Sequence, residues 1–337
     1  VNAPADRRDN LTQATAVAEA LEKLGYRPRQ VAFTLDIPAL LTVIRSHKPL
    51  LVFNLVESVG GKNSAIHLAP LVLSDAGFVF TGARETAMFL TTHKIIAKRI
   101  MLLSRIVTPE WQTAEEFMKN ASGMSPPMIV KPLDEDGSVG IEDASVCSRR
   151  EQLIQRLKAG DLSGPGRWFV EAFIEGREFN ISLLATEASI PEILPPAEML
   201  FEGYPEGKPR IVNYRAKWDE SSFEYGATRR RFDFGRDEER LLSRLREISL
   251  QCWEHFELSG YARVDFRVDE RGRPWVIEIN CNPCISPDRG FAASARRQGY
   301  TYEGIVTRII DDACSRMRTA ASTGRKKPDG VRARHAA

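Results

Sequence analysis

The amino-acid sequence predicts a mixed chain, α/β in its first quarter and α+β in the remainder. Three observations carry this prediction. Helical and strand-like segments alternate in short periods over residues 11–80. Separate apolar strands recur around one helix between residues 127 and 186. An alternating pattern broken by a turn fills residues 260–280.

Residues 11–24 (LTQATAVAEALEKL) carry apolar side chains at helical spacing and stop at Gly25. A strand Val31–Leu35, a helix over 37–46 and a strand Leu50–Val56 follow, the last running into Gly60-Gly61. A helix over 64–76 and a strand at 78–80 complete a pattern that reads as a three-layer α/β unit. Such units begin with a strand, whereas the first element here is a helix, so a strand encoded ahead of Val1 is the expectation. A helix over 87–103 and Pro109 set a boundary near 105–112. Beyond it the reading is strands at Met128–Lys131, Trp168–Ala172 and Glu178–Leu184, a helix over 149–158 and a loop over 134–140. Residues 195–235 are turn-rich and charged, with Arg229-Arg230-Arg231. Helices follow over 236–257 and 302–317, and a polar, basic tail over 318–337 is expected to be disordered.

A length of 337 residues allows two to three domains. The 47 Lys+Arg and 45 Asp+Glu give a net charge of +2, but the layout is uneven. From Arg316 onward there are seven basic residues and one acid, Asp329, so the body before it holds 40 basic and 44 acidic residues, a net −4. A mildly acidic body does not suit nucleic-acid backbones as partners. No run of 18 apolar residues is present, so no membrane span is expected, and no leader pattern opens the sequence. Five cysteines, an odd number, point to free thiols in a reducing, cytoplasmic setting. Cys281 and Cys284 have redox spacing but follow a strand near the C-terminus, and two thiols cannot close a four-ligand zinc site.

The segment GYARVDFRVDERGRPWVIEINCNPCISPDRG (260–290) is the most informative. Period two puts Arg263, Asp265 and Arg267 on one face of strand 261–268, with Val264, Phe266 and Val268 opposite. On strand 274–280, Glu278 and Asn280 share a face, with Ile277 and Ile279 opposite. An antiparallel hairpin can gather Asp265, Glu278 and Asn280 into an all-oxygen site for Mg²⁺, with Arg263 as a permanent charge beside it. A hairpin with a solvated polar face is the competing reading. Further upstream, Lys131 ends an apolar strand just before the loop Asp134–Gly140, whose glycines can bring backbone N–H groups to phosphate. The strand Phe169–Ile174 carries Glu171 and runs on to Glu178, which suits a purine edge and ribose hydroxyls. Lys217 stands among aromatics in YRAKW.

In this order and spacing the motifs resemble the ATP-grasp superfamily, specifically its D-alanine–D-alanine ligase branch, over roughly residues 50–315. The resemblance implies two α+β lobes clamping ATP, behind a Rossmann-like N-terminal domain that lacks its first strand. The implied divisions are 1–88 for that domain, 89–165 and 166–317 for the central and C-terminal lobes, and 318–337 for the tail. Lys94 and Lys131 match lysines on the nucleotide phosphates, and Ser138 lies in the phosphate loop. Glu171, Phe173 and Ile174 match the adenine hinge, Glu178 the ribose acid and Lys217 the lysine at the transferred phosphate. Asp265, Glu278 and Asn280 match the ligands of two Mg²⁺ ions, with Mn²⁺ as the alternative, and Arg263 the arginine at the reacting centre.

The amino-acid half departs from that pattern. Pro283-Cys284 replaces a Pro-Gly pair, Arg289-Gly290 stands where a carboxylate-binding serine is usual, and Asn54–Ser58 replaces a His-Gly. Glu57, Arg289 and Gly290 are therefore the substrate candidates. Trp218 replaces a tyrosine, and the Gly-rich first strand with its amine-binding acid is missing. The implied activity is a carboxylate–amine ligase acting through an acyl phosphate on small-molecule acids and amines, amino acids among them, other than the D-alanine pair. A genuine D-alanine–D-alanine ligase and a catalytically silent ATP-binding module are the alternatives. The resemblance also implies a homodimer formed through the N-terminal domain.

Overall fold

The computed structural model describes residues 5–119, 123–159, 168–186 and 190–322. The expected tail therefore lies outside the described residues from 323 onward, while residues 318–322 continue the helix Tyr302–Ser322. Among the described residues no helix is long and apolar enough to cross a membrane.

Two antiparallel sheets face one another. The first contains β1 (Trp111–Thr113), β2 (Met128–Pro132), β3 (Val146–Cys147) and β4 (Trp168–Ala172) in the order β1-β4-β2-β3. The second contains β5 (Arg177–Ala185), β6 (Pro191–Ile193), β7 (Ala197–Phe201), β8 (Thr228–Arg231), β9 (Tyr261–Val268) and β10 (Pro274–Asn280). Its order is β10-β9-β5-β7-β8, with β6 paired to β5. β4, which follows the division at 165/166 expected from the sequence, hydrogen-bonds to both β1 and β2 and so belongs to the first sheet. The chain crosses between the sheets at residues 173–176.

Alternation along the strands explains why each sheet has one dry and one polar face. In the second sheet Phe179, Ile181 and Leu183 of β5 join Val264, Phe266 and Val268 of β9 in one core with the helix Glu239–His255. Burying each of these side chains contributes ~1.5–3 kcal/mol. The opposite face carries Glu178, Asn180, Arg263, Asp265 and Arg267. In the first sheet Met128, Val130 and Val170 pack with Leu153 of the helix Arg150–Ala159, leaving Lys131 and Glu171 on the other side. The two polar faces look into the cleft between the sheets.

The N-terminal region differs most from expectation. The helix begins at Ala5 rather than residue 11 and packs Ala20 on Val306 and Ile310 of the C-terminal helix. Val31–Leu35 forms no ladder, and Val31 and Leu35 are exposed. Leu50–Val56 and 78–80 meet through one parallel bridge, Val52 to Phe80. A strand needs a neighbour for its N–H and C=O groups, and among the described residues 31–35 has none. The helix expected over 87–103 is two helices, Glu85–Thr92 and Lys94–Leu103, broken by extended backbone at His93. The turn-rich segment 195–235 holds β7, β8 and two short helices, Tyr214–Trp218 and Phe223–Ala227.

Gly176 occupies the crossing with φ +132°, and a Cβ there would lie 2.1 Å from the Val268 carbonyl oxygen. Gly176→Ala is therefore expected to destabilise the chain by about 2 kcal/mol or more, through strain and displacement of β5. A thermal melt equal to that of the parent would refute this account of the crossing.

Candidate active site

Between the polar faces lies a cavity of about 340 Å³, lined by residues of both sheets and of the segments between them. That volume is within the usual range for small-molecule sites. A smaller cavity of about 160 Å³ adjoins it on the N-terminal side. Glu135, Gly137, Lys217, Arg263 and Cys284 line both.

The β9–β10 hairpin takes the expected spans, and its register sets Glu278 opposite Asp265 and Asn280 opposite Arg263. A bulge between Val276 and Glu278 leaves Ile277 out of register. Ile277 consequently lines the larger cavity instead of joining Ile279 in the core, which corrects the strict alternation expected for this strand. Arg263 grips Asp265 through two bonds of 2.7 and 2.6 Å, and Asn180 Nδ2 donates to Asp265 Oδ1 at 2.8 Å. Burial alone would lower the Arg263 pKa, but Asp265 outweighs it and holds the guanidinium above its usual value. Asn280 Oδ1 accepts from the Asn282 backbone N–H at 2.8 Å, so the asparagine side chain faces the smaller cavity.

The break at His93 is what brings Lys94 to this hairpin. The Lys94 backbone N–H donates to the Leu133 carbonyl at 3.2 Å, which seats the helix start under the acidic loop. Lys94 Nζ then reaches the Glu135 carbonyl (2.6 Å), Asp136 (2.8 Å) and Glu278 (3.1 Å). Burial disfavours its charge, yet Asp136 and Glu278 more than offset that and raise its pKa. Glu278 is shifted the other way: burial raises its pKa, and Lys94 and Arg263 bring it below the usual carboxylate range.

The acidic loop turns through left-handed backbone at Gly137 (φ +69°) and Ser138 (φ +65°). Ser138 Oγ donates to the Val212 carbonyl at 2.6 Å, and Trp218 Nε1 to the Gly137 carbonyl at 2.8 Å. These bonds dock the helix Tyr214–Trp218 on the loop, with Asn213 capping that helix through the Ala216 N–H. Lys217 Nζ lies 5.3 Å from the Trp218 ring centroid and has no ion pair among the described residues. Burial and the nearby Arg263 lower its pKa.

At the far end Lys131 Nζ meets Glu171 at 2.5 Å, and the wholly buried Lys98 pairs with the other Glu171 oxygen. Burial raises the Glu171 pKa, but these two ammonium groups outweigh it and leave it lowered. Lys98 also donates to Thr108 Oγ1 at 2.8 Å. Phe173 and Ile174 line the cavity on the crossing segment. Arg267, only 4% exposed, donates to the carbonyls of Ile174, Gly176 and Arg210 and to Glu178 Oε2 at 3.2 Å. Burial leaves Glu178 above the usual carboxylate range despite Arg267.

Of the substrate candidates, Glu57 lines the smaller cavity, whereas Arg289 and Gly290 line the larger. Glu57 accepts from Gln13 at 3.1 Å, and Asn10, with its amide nitrogen facing it, donates to both carboxylate oxygens. Burial, reinforced by Asp9, pushes the Glu57 pKa up to about 7. Arg289 is committed to Asp9 at 2.8 Å and lies over the Trp218 ring. The Cys284 thiol donates to Asp9 at 3.0 Å, and burial pushes its pKa up to about 12. All five cysteines are free.

Sequence reasoning missed Asp9, Lys98, Asn180 and Arg267. Asn180 and Arg267 carried a usable signal, since each stands at a polar position of a strand already predicted to face the acids. Asp9 and Lys98 carried none, because only long-range packing brings them in. Among the described residues no three His, Cys, Asp or Glu side chains form a metal cluster. Asp265 and Glu278 supply two carboxylates, and the third expected oxygen is the Asn280 amide.

Residues 100–311 match the family described as D-ala D-ala ligase C-terminus. The chain is 30% identical over 308 residues to the uncharacterized protein y4sG of Sinorhizobium fredii, covering 89% of this chain and 87% of that protein. It is 27% identical over 309 residues to the D-alanine–D-alanine ligase of Aquifex aeolicus, covering 90% and 96%. Its fold resembles the crystal structure of D-alanine–D-alanine ligase from Bacillus anthracis complexed with ATP, with a TM-score of 0.69, 19% identity and coverage of 96% and 97%. Matching its family over most of its length and sharing its two-sheet fold, the chain belongs to the D-alanine–D-alanine ligase family of the ATP-grasp superfamily, ATP-dependent ligases that form C–N bonds.

Proposed function

We propose that the chain joins an amino-acid carboxylate to an amine through an acyl phosphate, with a substrate pair other than two D-alanines. The observation that carries this reading is the meeting of two cavities at Lys217, Arg263 and Cys284. A nucleotide fits the larger, between the two sheets, and an amino acid fits the smaller, beside the proposed N-terminal unit 1–88. The donor's reacting carboxylate then lies where the two cavities join.

The nucleotide takes Phe173, Ile174 and Glu171 at its base, Glu178 at its ribose, and Lys94, Lys131 and the turn at Ser138 at its phosphates. Asp265, Glu278 and Asn280 form a hard oxygen donor set that suits Mg²⁺, and two such ions neutralise phosphate charge when bound. Arg263 and Lys94 are the cations paired with the two carboxylates. In the first step a donor carboxylate oxygen attacks the γ-phosphorus, and the bond to the ADP oxygen breaks. Lys217 and Arg263 stabilise the charge spreading over the transferred group, where positioning and charge dominate catalysis. In the second step the acceptor nitrogen attacks the acyl carbon. The oxyanion forms beside Arg263 and the backbone N–H near Cys284, the C–O bond to phosphate breaks, and the nitrogen loses its proton.

Glu57 holds the donor ammonium in the smaller cavity. The departures at Glu57, Arg289 and Trp218 support a substrate outside the D-alanine pair. Screening ADP release over amino-acid pairs tests this: turnover confined to D-alanine would overturn the substrate assignment, and no turnover with any amine would overturn the ligase reading.

Glu278→Gln is expected to lower turnover at least about a hundredfold in chain that remains folded at the assay temperature. Parent-like turnover would remove Glu278 from the metal set. Lys131→Ala is expected to raise the KM for ATP about tenfold, the scale of one charge-assisted hydrogen bond; an unchanged KM refutes the phosphate role. Because Glu57 binds the donor ammonium only when ionised, and its pKa is about 7, the donor KM is expected to climb about tenfold per pH unit below that value and level off above it. Glu57→Gln should flatten the profile, and a profile of the same slope in that variant would dismiss Glu57 as its source.

A further inference from the structure

Arg230 is a cation with no partner among the described residues, in a cavity where every neighbouring arginine has one. It lies on β8, opposite Met199 of β7, and both side chains line the larger cavity. Its neighbours in sequence are engaged elsewhere, as alternation along a strand requires. Arg229 pairs with Glu202 at 3.1 Å, and Arg231 pairs with Glu198 and with Glu238.

Within the cavity Arg230 stands close to two other guanidiniums. Arg263 is matched by Asp265, and Arg289 by Asp9. Arg230 itself is exposed at the rim of the cavity, and Arg263 and Arg289 share its lining. Gly290 makes the arrangement sterically feasible: a Cβ there would meet Arg230 Nε at 3.3 Å. A guanidinium held among like charges gains when an anion arrives, and its planar fork suits a carboxylate or phosphate in two-point contact.

We propose that Arg230 and Arg289 together form a specificity subsite for a second acid group on the acceptor, so that the acceptor is an amine bearing two anionic groups. This rests on the ligase reading for the word acceptor, but the subsite itself rests on geometry alone. The placement favours the acceptor over the nucleotide: Arg230 lies against Gly290 and shares its lining with Asp288 and Arg289, whereas the hinge residues Phe173 and Ile174 belong to the crossing between the sheets and the ribose acid Glu178 to β5. An acceptor α-carboxylate takes Arg289, and its side-chain acid takes Arg230.

The test has two arms, both on the full chain. In the first, ADP release with Mg·ATP and a fixed donor is measured for alanine, aspartate, glutamate and O-phosphoserine of each hand as acceptors. The expected result is a kcat/KM at least tenfold higher for an acidic acceptor than for alanine. Arg230→Met should remove that advantage by raising the acceptor KM, with kcat and the KM for ATP held within twofold, and Arg230→Lys should restore part of it. Alanine used as well as the acids, equal losses for all acceptors, or a raised KM for ATP would each overturn the proposal. In the second, calorimetry follows glutarate and butyrate binding to chain loaded with Mg²⁺ and a non-hydrolysable ATP analogue. Glutarate should bind at least tenfold tighter than butyrate, and Arg230→Met should abolish the difference at an unchanged melting temperature. Equal binding of the two acids, or a difference that survives in Arg230→Met, overturns the subsite. Arg230-dependent glutarate binding without turnover of any amine would leave the subsite standing and remove the ligase reading.

Discussion

The ion pairs of Lys94 are the contact on which the rest of the site depends. One ammonium, 10% exposed, joins the acidic loop through Asp136 to the β9–β10 hairpin through Glu278. It thereby ties together the start of a helix, a loop of the first sheet and the outer hairpin of the second. Burying an ammonium costs several kcal/mol unless it is matched, and here two carboxylates and a backbone carbonyl match it. The break at His93 is the structural expense of this arrangement, because an unbroken helix would leave the Lys94 N–H bonded within the helix and its side chain aimed elsewhere.

The same contact leaves the site charge-balanced. Lys94 answers Glu278 and Arg263 answers Asp265, so no carboxylate of the hairpin is left alone. In the proposed function these carboxylates would hold divalent ions and these cations would meet phosphate, so both signs of charge would arrive together. A cavity built this way avoids unpaired buried charge. Two cavity cations lack such an answer among the described residues: Lys217, which lines both cavities, and Arg230, which is exposed at the rim of the larger.

Much of this was legible in the sequence where local pattern and final structure agree. The hairpin 261–280 alternates around a charged turn, and its spans and the shared face of Arg263 and Asp265 follow from period two, whereas the pairing of Asp265 with Glu278 depends on the bulge after Val276. The bulge that turns Ile277 into the cavity was not legible, because it changes register without changing composition. The strands at 31–35, 50–56 and 78–80 were read from apolar runs, but a parallel ladder depends on neighbours that pattern does not supply, and one bridge is what remains. In 195–235 the turn residues and the arginine run obscured β7 and β8. Arg231 looks like surface charge until Glu198 and Glu238 are brought beside it by the fold.

The contrast between the two cavities explains why the family is easier to recognise than the substrate. Residues of the larger cavity lie on regular strands, where spacing fixes direction, so Lys131, Glu171, Glu178 and Asp265 can be placed from sequence order. Residues of the smaller cavity come from a helix start, from irregular backbone around Glu57 and from the loop 281–284. Beside it Asp9 meets Cys284 across 275 positions of sequence, and the same acid holds Arg289 of the larger cavity across 280. Direction at such places is set by packing between distant segments, and one exchanged side chain redirects several others. Arg289 cannot offer a free guanidinium to a ligand while Asp9 holds it, so an acceptor carboxylate must share it with Asp9 or displace that acid. In the proposed subsite, selectivity at this end is a competition between ligand and protein carboxylates for the same guanidinium, with Arg230 shifting it toward the ligand.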